Sequence, residues 1–542
     1  MGRRRARAIH PAGWAAIVAV GALAASPQAA ARPSQIRPTS PSTVVVALSA
    51  MPDGTNPLVT DDQYSADVEA LLYDPLYYET PTLTYAPDLA TAWDVGARGR
   101  AYTYTLNPKA RWTSGRPVDA ADVVASLKAY ASARDTGAER GRFADLLSVT
   151  ALGTERVEVT LRHPDPAWPG VLAGLPILPA PAPRSRTTAK TGPVASAKGA
   201  VHAAQPPATD GPYVLTHWDA QSGLISLAAN AAYFRGAPRV ARIELRVVPA
   251  PQGAFAALRK GAVQVAILPP TLAAAARKAP GLTSRTVSGM GLALVAFNVT
   301  AAALRPAAVR RALSLAVDRA AVMRAAGVVG AQVPNGPWPA VFDGVAPPTA
   351  GYDPALARSL LHKAGWRPGA GGVLRRDGRR LALTLRYPAG SGRIGRAAVS
   401  VASAWRRLGV AVALDPEPFV ALESAAASGR YQALLMGAVF GQGVDLAALV
   451  GGRADFPPAG QDIARYDSPL VRAVLSSGAQ SAAAAVPPPT VFELVASLLD
   501  RNPPYLPLWS DTSLVVTSAT LSGFTPNPAG PDLYQPQLWT LP

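Results

Sequence analysis

The sequence predicts an α/β protein that contains more than one domain. The chain has 542 residues, which exceeds the usual length of a single domain. Apolar residues make up 49% and charged residues 16%, a balance typical of globular rather than disordered proteins. Short apolar or alternating runs, which predict strands, are separated by segments whose apolar residues recur at helical spacing.

Residues 1–31 have the pattern of an export signal. Basic residues precede an apolar run at 14–25, and Ala29 to Ala31 provide small residues for cleavage. The apolar run is too short to cross a bilayer comfortably. We therefore expect the mature chain outside the cytoplasm, either periplasmic or extracellular. Arg3 to Arg5 leave open whether the export route is the general or the twin-arginine one.

The charge and the cysteine count exclude several classes of function. The formal net charge is +17, but the arginines are scattered, with only short pairs such as those at 375–376 and 379–380. A surface for nucleic acid needs clustered basic residues, so we expect no nucleic-acid partner. The chain has no cysteine, which excludes disulfides, thiolate catalysis and zinc–thiolate sites.

The first quarter of the chain predicts strand, helix, strand and helix in that order. The apolar run 44–48 predicts a buried strand, and the spacing of apolar residues over 66–78 predicts a helix. Tyr and Leu alternate with Thr over 102–106, which predicts a half-buried strand. Asp119 is placed as the N-cap of the next helix, with Asp122 near its positive end.

The rest of the chain alternates similarly after one irregular segment. Residues 180–209 lack apolar periodicity, and we expect a disordered insertion there. Further strands are predicted at 157–161, 243–248, 263–268, 381–387, 410–414 and 431–439. Further helices are predicted at 254–260, 356–366 and 397–408, and on the face formed by Val309, Leu313, Ala316 and Val317.

Three segments together resemble the family 5 extracellular solute-binding proteins of ABC importers. Residues 86–130 contain the spaced pattern Pro-x-Leu-Ala-x-x-Trp, followed by Trp-x-x-Gly-x-Pro. Residues 310–319 resemble the second pattern of the family, and 505–509 resemble its near-terminal Ile-Pro-Leu-Tyr. The resemblance runs from about residue 43 to the end, broken only by the insertion.

The resemblance implies a two-lobed periplasmic-binding-protein-like fold with a hinge, in the three-domain variant of this family. Domain I would be discontinuous, with residues 43–78, 210–291 and 511–542. Domain II would span 79–209, and domain III, the second lobe, 292–510. The implied protein is a monomeric receptor that encloses a peptide or peptide-like molecule and delivers it to an ABC permease. It would hold no cofactor or metal and catalyse no reaction.

The resemblance also brings six residues to the ligand cleft: Asp61, Gln63, Phe440, Gln442, Asp445 and Trp509. Trp509 and Phe440 would form apolar walls, Gln442 an amide contact, and Asp61 a partner for a cation or donor.

One departure from the family concerns the peptide ammonium. Peptide-binding members place an aspartate after the strand equivalent to 431–439, where this chain has Gly441. A buried ammonium without a carboxylate would be costly, so binding of a free peptide N-terminus is in question. Two alternatives stay open: Asp445 compensates, or the loop is misaligned.

A second departure concerns membrane anchoring. Many family members carry a lipidated cysteine after Leu-Ala-Ala, but here Ser26 follows Leu23 to Ala25. Serine cannot take the thioether lipid, so we expect a freely diffusing protein.

Other functional classes have weaker support. No G-x-S-x-G, H-E-x-x-H or Walker pattern occurs. The G-x-G-x-x-G run at 390–395 mimics a dinucleotide-binding loop, but Pro388 precedes it and no second nucleotide-binding half follows. The alternatives are an exported enzyme with an unrecognised site, a sensor or scaffold without transport, or a receptor for a nickel chelate.

Overall fold

The computed structural model describes residues 43–60, 62–81, 84–97, 99–132, 143, 145–164, 168–181, 208–345, 351–439, 449–452, 462–480, 489–527 and 532–542. The predicted export signal and most of the predicted insertion at 180–209 lie outside these residues. None of the helices within them has the length and apolar character needed to cross a bilayer.

Strands and helices alternate along the described chain. The helices are α1 (Gln63–Leu72), α2 (Ala120–Ser132), α3 (Trp168–Leu172), α4 (Pro251–Arg259), α5 (Ala273–Arg277), α6 (Ala307–Leu315), α7 (Arg319–Ala326), α8 (Pro354–Lys363), α9 (Gly392–Arg407), α10 (Phe419–Ser428), α11 (Pro469–Gln480) and α12 (Pro489–Arg501). The strands are β1 (Thr43–Leu48), β2 (Tyr77–Glu79), β3 (Tyr85–Pro87), β4 (Ala90–Gly96), β5 (Ala101–Leu106), β6 (Leu146–Ala151), β7 (Arg156–Leu161), β8 (Tyr213–Asp219), β9 (Leu224–Ala229), β10 (Arg242–Val247), β11 (Val265–Leu268), β12 (Leu282–Phe297), β13 (Arg367–Pro368), β14 (Leu374–Arg376), β15 (Arg379–Arg380), β16 (Ala382–Pro388), β17 (Ala411–Glu417), β18 (Ala433–Val439) and β19 (Tyr505–Ser518).

One ten-stranded sheet runs through the molecule in the order β17-β16-β18-β12-β19-β11-β1-β10-β9-β8. Its central strands, β12 and β19, have 16 and 14 residues and are antiparallel to each other. The first part of β12 pairs only with β19, whereas its second part lies between β18 and β19. The pairing shifts register between Ser288 and Leu292, so this point is a joint in the sheet.

Two lobes meet at this joint. We call residues 43–288 and 512–542 the first lobe and residues 292–510 the second lobe. Four buried apolar clusters are found, and none of their fully buried members is shared between lobes, since two clusters lie in each lobe. Separate cores joined by a pair of continuous strands allow the lobes to move as bodies.

The first lobe confirms the predicted strands around the family resemblance. Tyr102, Tyr104 and Leu106 are the buried members of the alternating strand β5. The Asp119 carboxylate accepts from the backbone N–H of Ala121 at 2.9 Å, as predicted for an N-cap. Asp122 accepts in return from the Asp119 N–H at 3.0 Å, which completes a reciprocal cap.

The helix predicted over 66–78 is wrong at both ends. Helix α1 begins at Gln63 and ends at Leu72, and Tyr73 has extended backbone angles, φ −132° and ψ 146°. Pro75 follows, and a proline disfavours helical angles in the residue before it. The Tyr73 N–H still donates to the Glu69 carbonyl and closes the helix, and Tyr77 and Tyr78 then pair with Pro87 and Ala86 as a short strand.

The second lobe confirms most of the apolar spacing predicted there. Val309 and Leu313 are fully buried on α6. Ala316 and Val317 are also buried, but they lie beyond the end of α6, so the predicted helical face is two residues too long. Trp405 on α9 donates its indole N–H to the Leu313 carbonyl at 3.0 Å, which ties the two helices together.

Candidate functional site

A cavity of about 430 Å³ opens in the first lobe beside the joint. Its wall includes α1, the segment 73–79, Arg235, the end of the first part of β12, and the C-terminal segment 526–537. The wall includes Ser288, Gly289 and Met290, which lie at the register shift between β12 and β19. Described residues of the second lobe take no part in the lining. The volume falls in the range of small-molecule pockets, roughly 300–1,000 Å³.

The titratable side chains in the cavity wall are mostly acidic. The acidic members are Glu69, Asp74, Glu79, Asp88 and Asp532, and the cationic member within the described residues is Arg235. Four of the acids are less than 9% exposed, so they lie behind the surface rather than in solvent. Carboxylates so removed from water need partners, and the partners reveal how each is used.

Asp74 has an incomplete set of hydrogen-bond partners. One of its oxygens accepts the Tyr233 hydroxyl at 3.1 Å, while its backbone N–H donates to Asp210 at 3.2 Å. Its second carboxylate oxygen, Oδ2, is buried and has no hydrogen-bond partner among the described residues. Burial raises the pKa of Asp74 well above its usual value, and the neighbouring charges of Asp88 and Asp210 raise it further.

Asp88 is paired with the arginine of the wall. A nitrogen of Arg235 lies 3.2 Å from Asp88 Oδ1, and the guanidinium lies 5.3 Å from the ring centre of Tyr78. The same guanidinium donates to the Tyr78 hydroxyl at 3.3 Å. Burial still raises the pKa of Asp88 to about 7, although the Arg235 charge acts to lower it. One cation is therefore already engaged by Asp88.

Glu69 and Asp532 complete the acidic wall. Burial raises the pKa of Glu69 to about 7, against a hydrogen bond from Thr60 at 2.5 Å that lowers it. Burial likewise raises the pKa of Asp532 to about 6. Asp67 lies behind the wall, where burial and the Asp532 charge raise its pKa well above the usual range. The wall thus holds more carboxylates than its single arginine can neutralise.

Tyrosines supply most of the aromatic surface of the cavity. Tyr73, Tyr78, Tyr233 and Tyr534 all contribute to the wall. Tyr78 and Tyr534 meet edge to face, with ring centres 5.3 Å apart and an interplanar angle of 72°. Gln535 donates to the Tyr78 hydroxyl, which fixes this ring from the C-terminal segment.

Of the six residues predicted for the cleft, Gln63 lines the cavity. Its side chain lies on the first turn of α1 and donates to Asp67 at 3.4 Å. Asp61, Phe440, Gln442 and Asp445 lie outside the described residues, as does Gly441. Their roles stay predictions.

Trp509 lies in the second lobe, away from the cavity. It is 0% exposed in the apolar core beside β12, and its indole N–H donates to Asp511 at 3.2 Å. The Arg393 guanidinium lies 5.9 Å from the Trp509 ring and 3.4 Å from the Asp511 carboxylate. In this arrangement Trp509 packs against the joint, and contact with a ligand stays a prediction.

The glycine-rich segment at 390–395 has a structural role in the second lobe. Ser391 caps α9 by accepting from the Ile394 N–H at 3.4 Å. The helix connects β16 to β17, and these two strands pair in parallel. Arg393 extends from this helix to Asp511. The glycines therefore serve a strand–helix connection whose side chains reach the joint.

The cavity acids were missed by sequence reasoning. Glu69 lies on α1 among buried apolar residues. Asp74 precedes β2, which the prediction had assigned to a helix, and Asp88 directly follows β3. Acids at apolar positions of an amphipathic segment were the available signal. No group of three or more metal-ligating His, Asp or Glu side chains was found in the described part of the chain.

Comparisons with known proteins agree with this architecture. Residues 84–450 match the family described as bacterial extracellular solute-binding proteins, family 5 middle. Protein XP55 of Streptomyces lividans is 28% identical over 387 residues, which cover 70% of this chain and 68% of that protein. The oligopeptide-binding protein AppA of Bacillus subtilis is 26% identical over 396 residues, which cover 71% of each.

Solved structures show the same fold. AppA of Bacillus subtilis, in complex with a nonapeptide, has a TM-score of 0.65 at 22% identity, covering 92% of this chain and 99% of that one. HbpA2 of Haemophilus parasuis has a TM-score of 0.75 at 20% identity, covering 92% and 100%. The predicted two-lobed α/β fold is confirmed.

Proposed function

The chain belongs to the family 5 bacterial extracellular solute-binding proteins, and from this premise we propose that it is the receptor of an ABC importer. It captures a peptide or peptide-like molecule in the cavity, encloses it by closure of the two lobes, and presents it to a permease. Relatives named for oligopeptide and glutathione binding support this choice of ligand class. No bond is made or broken in the ligand.

The observation that carries the proposal is the position of the cavity. It lies in one lobe but borders the joint formed by β12 and β19. A rotation at the joint brings the second lobe over the open side, which exchanges ligand hydration for fixed protein groups. We place domain I at 43–78, 210–291 and 511–542, domain II at 79–209 and domain III at 292–510. The boundaries at 291/292 and 510/511 adjoin the register shift.

The cellular setting follows from the same reading. We propose that the signal at 1–31 directs export, that Ser26 leaves the mature protein without a lipid anchor, and that it acts as a monomer. Asp61, Phe440, Gln442, Asp445 and Trp509 remain proposed contacts of the closed form, when the second lobe covers the cavity.

The test combines binding, shape and turnover. The mature protein is mixed with di- and tripeptides and with glutathione, and thermal unfolding, small-angle X-ray scattering and the recovered ligand are measured. A binder at 100 times its Kd should stabilise the fold by about 2.7 kcal/mol. The radius of gyration should fall as the lobes close, and the ligand should be recovered unchanged. Free amino acids serve as the control.

Two outcomes contradict the proposal. If no compound stabilises the protein or reduces its radius of gyration, the receptor function is rejected for this ligand class. If the ligand is converted to a product, the protein is an enzyme, the alternative from another class.

A further inference from the structure

We propose that the cavity in the first lobe receives a positively charged group of the ligand, a primary ammonium or a guanidinium, and that Asp74 is its direct partner. This inference rests on the proposed receptor function, because it names the chemistry that the receptor selects. It concerns α1, the segment after it and the C-terminal segment, none of which sequence reasoning assigned to the recognition of charge.

The first argument is the excess of acidic over basic side chains in the cavity wall. The chain as a whole carries a formal net charge of +17, yet the described lining of the cavity has five acidic side chains and one arginine. The ion pair and hydrogen bond of the arginine are with Asp88 and Tyr78, and its charge also lowers the pKa of Asp74. Even so, burial and the charges of Asp88 and Asp210 hold the pKa of Asp74 well above its usual value, and one arginine faces five acids in the described lining. An acidic cavity in a basic protein attracts cations.

The second argument is the unpaired oxygen of Asp74. The residue is 4% exposed, and its Oδ2 atom is the one buried polar atom of this side chain left without a donor in the described structure. A buried acceptor without a partner destabilises the protein. Asp74 lines the cavity, so an ammonium or a guanidinium there supplies the missing donor and favours the ionised form of this carboxyl group, as charge-assisted hydrogen bonds do.

The third argument is the aromatic lining. Four tyrosines contribute to the wall, and the rings of Tyr78 and Tyr534 meet edge to face. Cations are attracted to the faces of aromatic rings within about 6 Å. Arg235 already uses Tyr78 in this way at 5.3 Å. A ligand cation in the cavity would thus meet aromatic rings as well as the Asp74 carboxyl group.

Burial also makes the wall respond to a cation. It raises the pKa of Asp88 and of Glu69 to about 7, and that of Asp532 to about 6. A cation in the cavity favours the ionised carboxylates and lowers these pKa values. Ligand binding should therefore release protons near neutral pH, which is a readout independent of affinity.

Two sources of the charge, the peptide N-terminus and a side chain, are separated by four tripeptides. Ala-Ala-Ala carries only the α-ammonium, N-acetyl-Ala-Lys-Ala only a side-chain ammonium, and N-acetyl-Ala-Arg-Ala only a guanidinium. N-acetyl-Ala-norleucine-Ala is the neutral control, matched in shape to the lysine peptide. Isothermal titration calorimetry measures each Kd, and repetition in two buffers of different ionisation enthalpy measures proton release.

The inference predicts that at least one cationic peptide binds about 10- to 100-fold more tightly than the neutral one, with proton release. Asp74→Asn keeps the shape and the acceptor for Tyr233 but removes the charge, and it should abolish this preference. Asp94→Asn, at an exposed position of β4, is the matched control and should preserve it.

The outcomes separate the inference from the function on which it rests. If the neutral peptide binds as tightly as the cationic ones, the inference is overturned while the receptor function stands. If none of the four peptides binds, the inference is overturned, and the receptor function is decided separately by the wider set of ligands in its own test. Should Asp74→Asn fail to fold, the peptide comparison on the unaltered protein decides alone. If Asp74→Asn folds and keeps the preference, Asp74 is not the partner.

Discussion

The two lobes bury charge in different ways. The buried acids of the first lobe are Asp67, Glu69, Asp74, Glu79, Asp88, Asp122 and Asp210, whereas the described second lobe buries Asp462 and Arg310. Arg310 donates to the carbonyls of Leu304, Arg305 and Pro503 and to the amide oxygen of Asn502. Asp74, in contrast, keeps an unpaired oxygen at a cavity wall.

The difference separates architecture from binding. A buried charged group whose hydrogen-bonding atoms are paired within the fold is tolerated there, and those atoms have no capacity left for a ligand. A buried charge with an unpaired atom at a cavity is stabilised only when something else arrives. Burial alone is thus a poor guide to function, and the completeness of the partners is the better one.

The largest expected effect is the loss of stability on replacing Arg310, a buried charged residue of the second lobe whose hydrogen bonds are made within the fold. Arg310→Leu leaves three carbonyls and the Asn502 amide without their donor. We expect the free energy of unfolding, measured by urea denaturation, to fall by about 3–5 kcal/mol. Ligand affinity of the folded fraction should be unchanged, because Arg310 lies in the core of the second lobe.

The neighbouring residue provides a matched control. Arg311 pairs with Asp500 at 3.4 Å, but both side chains are about 30% exposed. Arg311→Leu should therefore lower the free energy of unfolding by less than about 1 kcal/mol. If the two variants lose the same free energy of unfolding, burial of the guanidinium does not determine the loss. The contrast drawn between the lobes, which depends on burial and pairing, would then be contradicted.

The next effect concerns the acidic cavity wall of the first lobe and the dependence of protein stability on pH. Glu69 has an ordinary pKa of 4.5 that rises to about 7 in the fold, chiefly by burial, with Thr60 lowering and Asp62 raising it. Between these values the unfolded chain has lost the proton that the folded chain still holds. Stability therefore falls as pH rises through this window, by roughly 3 kcal/mol from Glu69 alone.

Glu69→Gln should remove that part of the pH dependence. Urea denaturation of the ligand-free protein at pH 4.5 and pH 8 should show a smaller decline for the variant, which should be the more stable protein at pH 8. The decline should not vanish, because Asp88 and Asp532 also have raised pKa values. Glu155→Gln, at an exposed position, is the control. A decline identical in Glu69→Gln and the unaltered protein would contradict the assignment.

Much of the fold could be predicted because it depends on local patterns. The alternation over 102–106 and the cap at Asp119 both reappear in the structure, since each is decided by a few neighbouring residues. Helix α1 was predicted beyond Leu72 because apolar spacing continues there. The chain leaves the helix at Tyr73 instead, Pro75 disfavours helical angles at Asp74, and residues 77–79 pair with residues 85–87. Pairing of this kind cannot be derived from spacing.

Little of the candidate site could be predicted, for a related reason. Asp74 and Asp88 flank one short hairpin, whereas Asp532 comes from the C-terminal segment, and only the tertiary fold brings them to one cavity. Gln63 was assigned by resemblance and does line the cavity. Trp509 was assigned in the same way; it is buried in the core of the second lobe, and its contact with a ligand stays a prediction.

The smallest effect concerns the joint between the two lobes. A Cβ atom added at Gly291 would lie 2.8 Å from Asp511 Oδ2 and 3.2 Å from Asp511 Cβ. Asp511 cannot easily retreat, because its other oxygen accepts from Trp509 at 3.2 Å and from Arg393 at 3.4 Å. Gly291→Ala should therefore destabilise the protein by about 1 kcal/mol through overpacking.

The same substitution should also reduce the compaction that a ligand induces, measured by small-angle X-ray scattering. Gly395→Ala in α9 is the control, because its Cβ would meet only a Tyr387 ring carbon at 3.6 Å, an ordinary contact. Alanine is the better helix former, so this control should be neutral or stabilising and should close normally. If Gly291→Ala closes as fully as the control, motion between the lobes does not depend on close approach at Asp511. The joint must then bend elsewhere along β12 and β19.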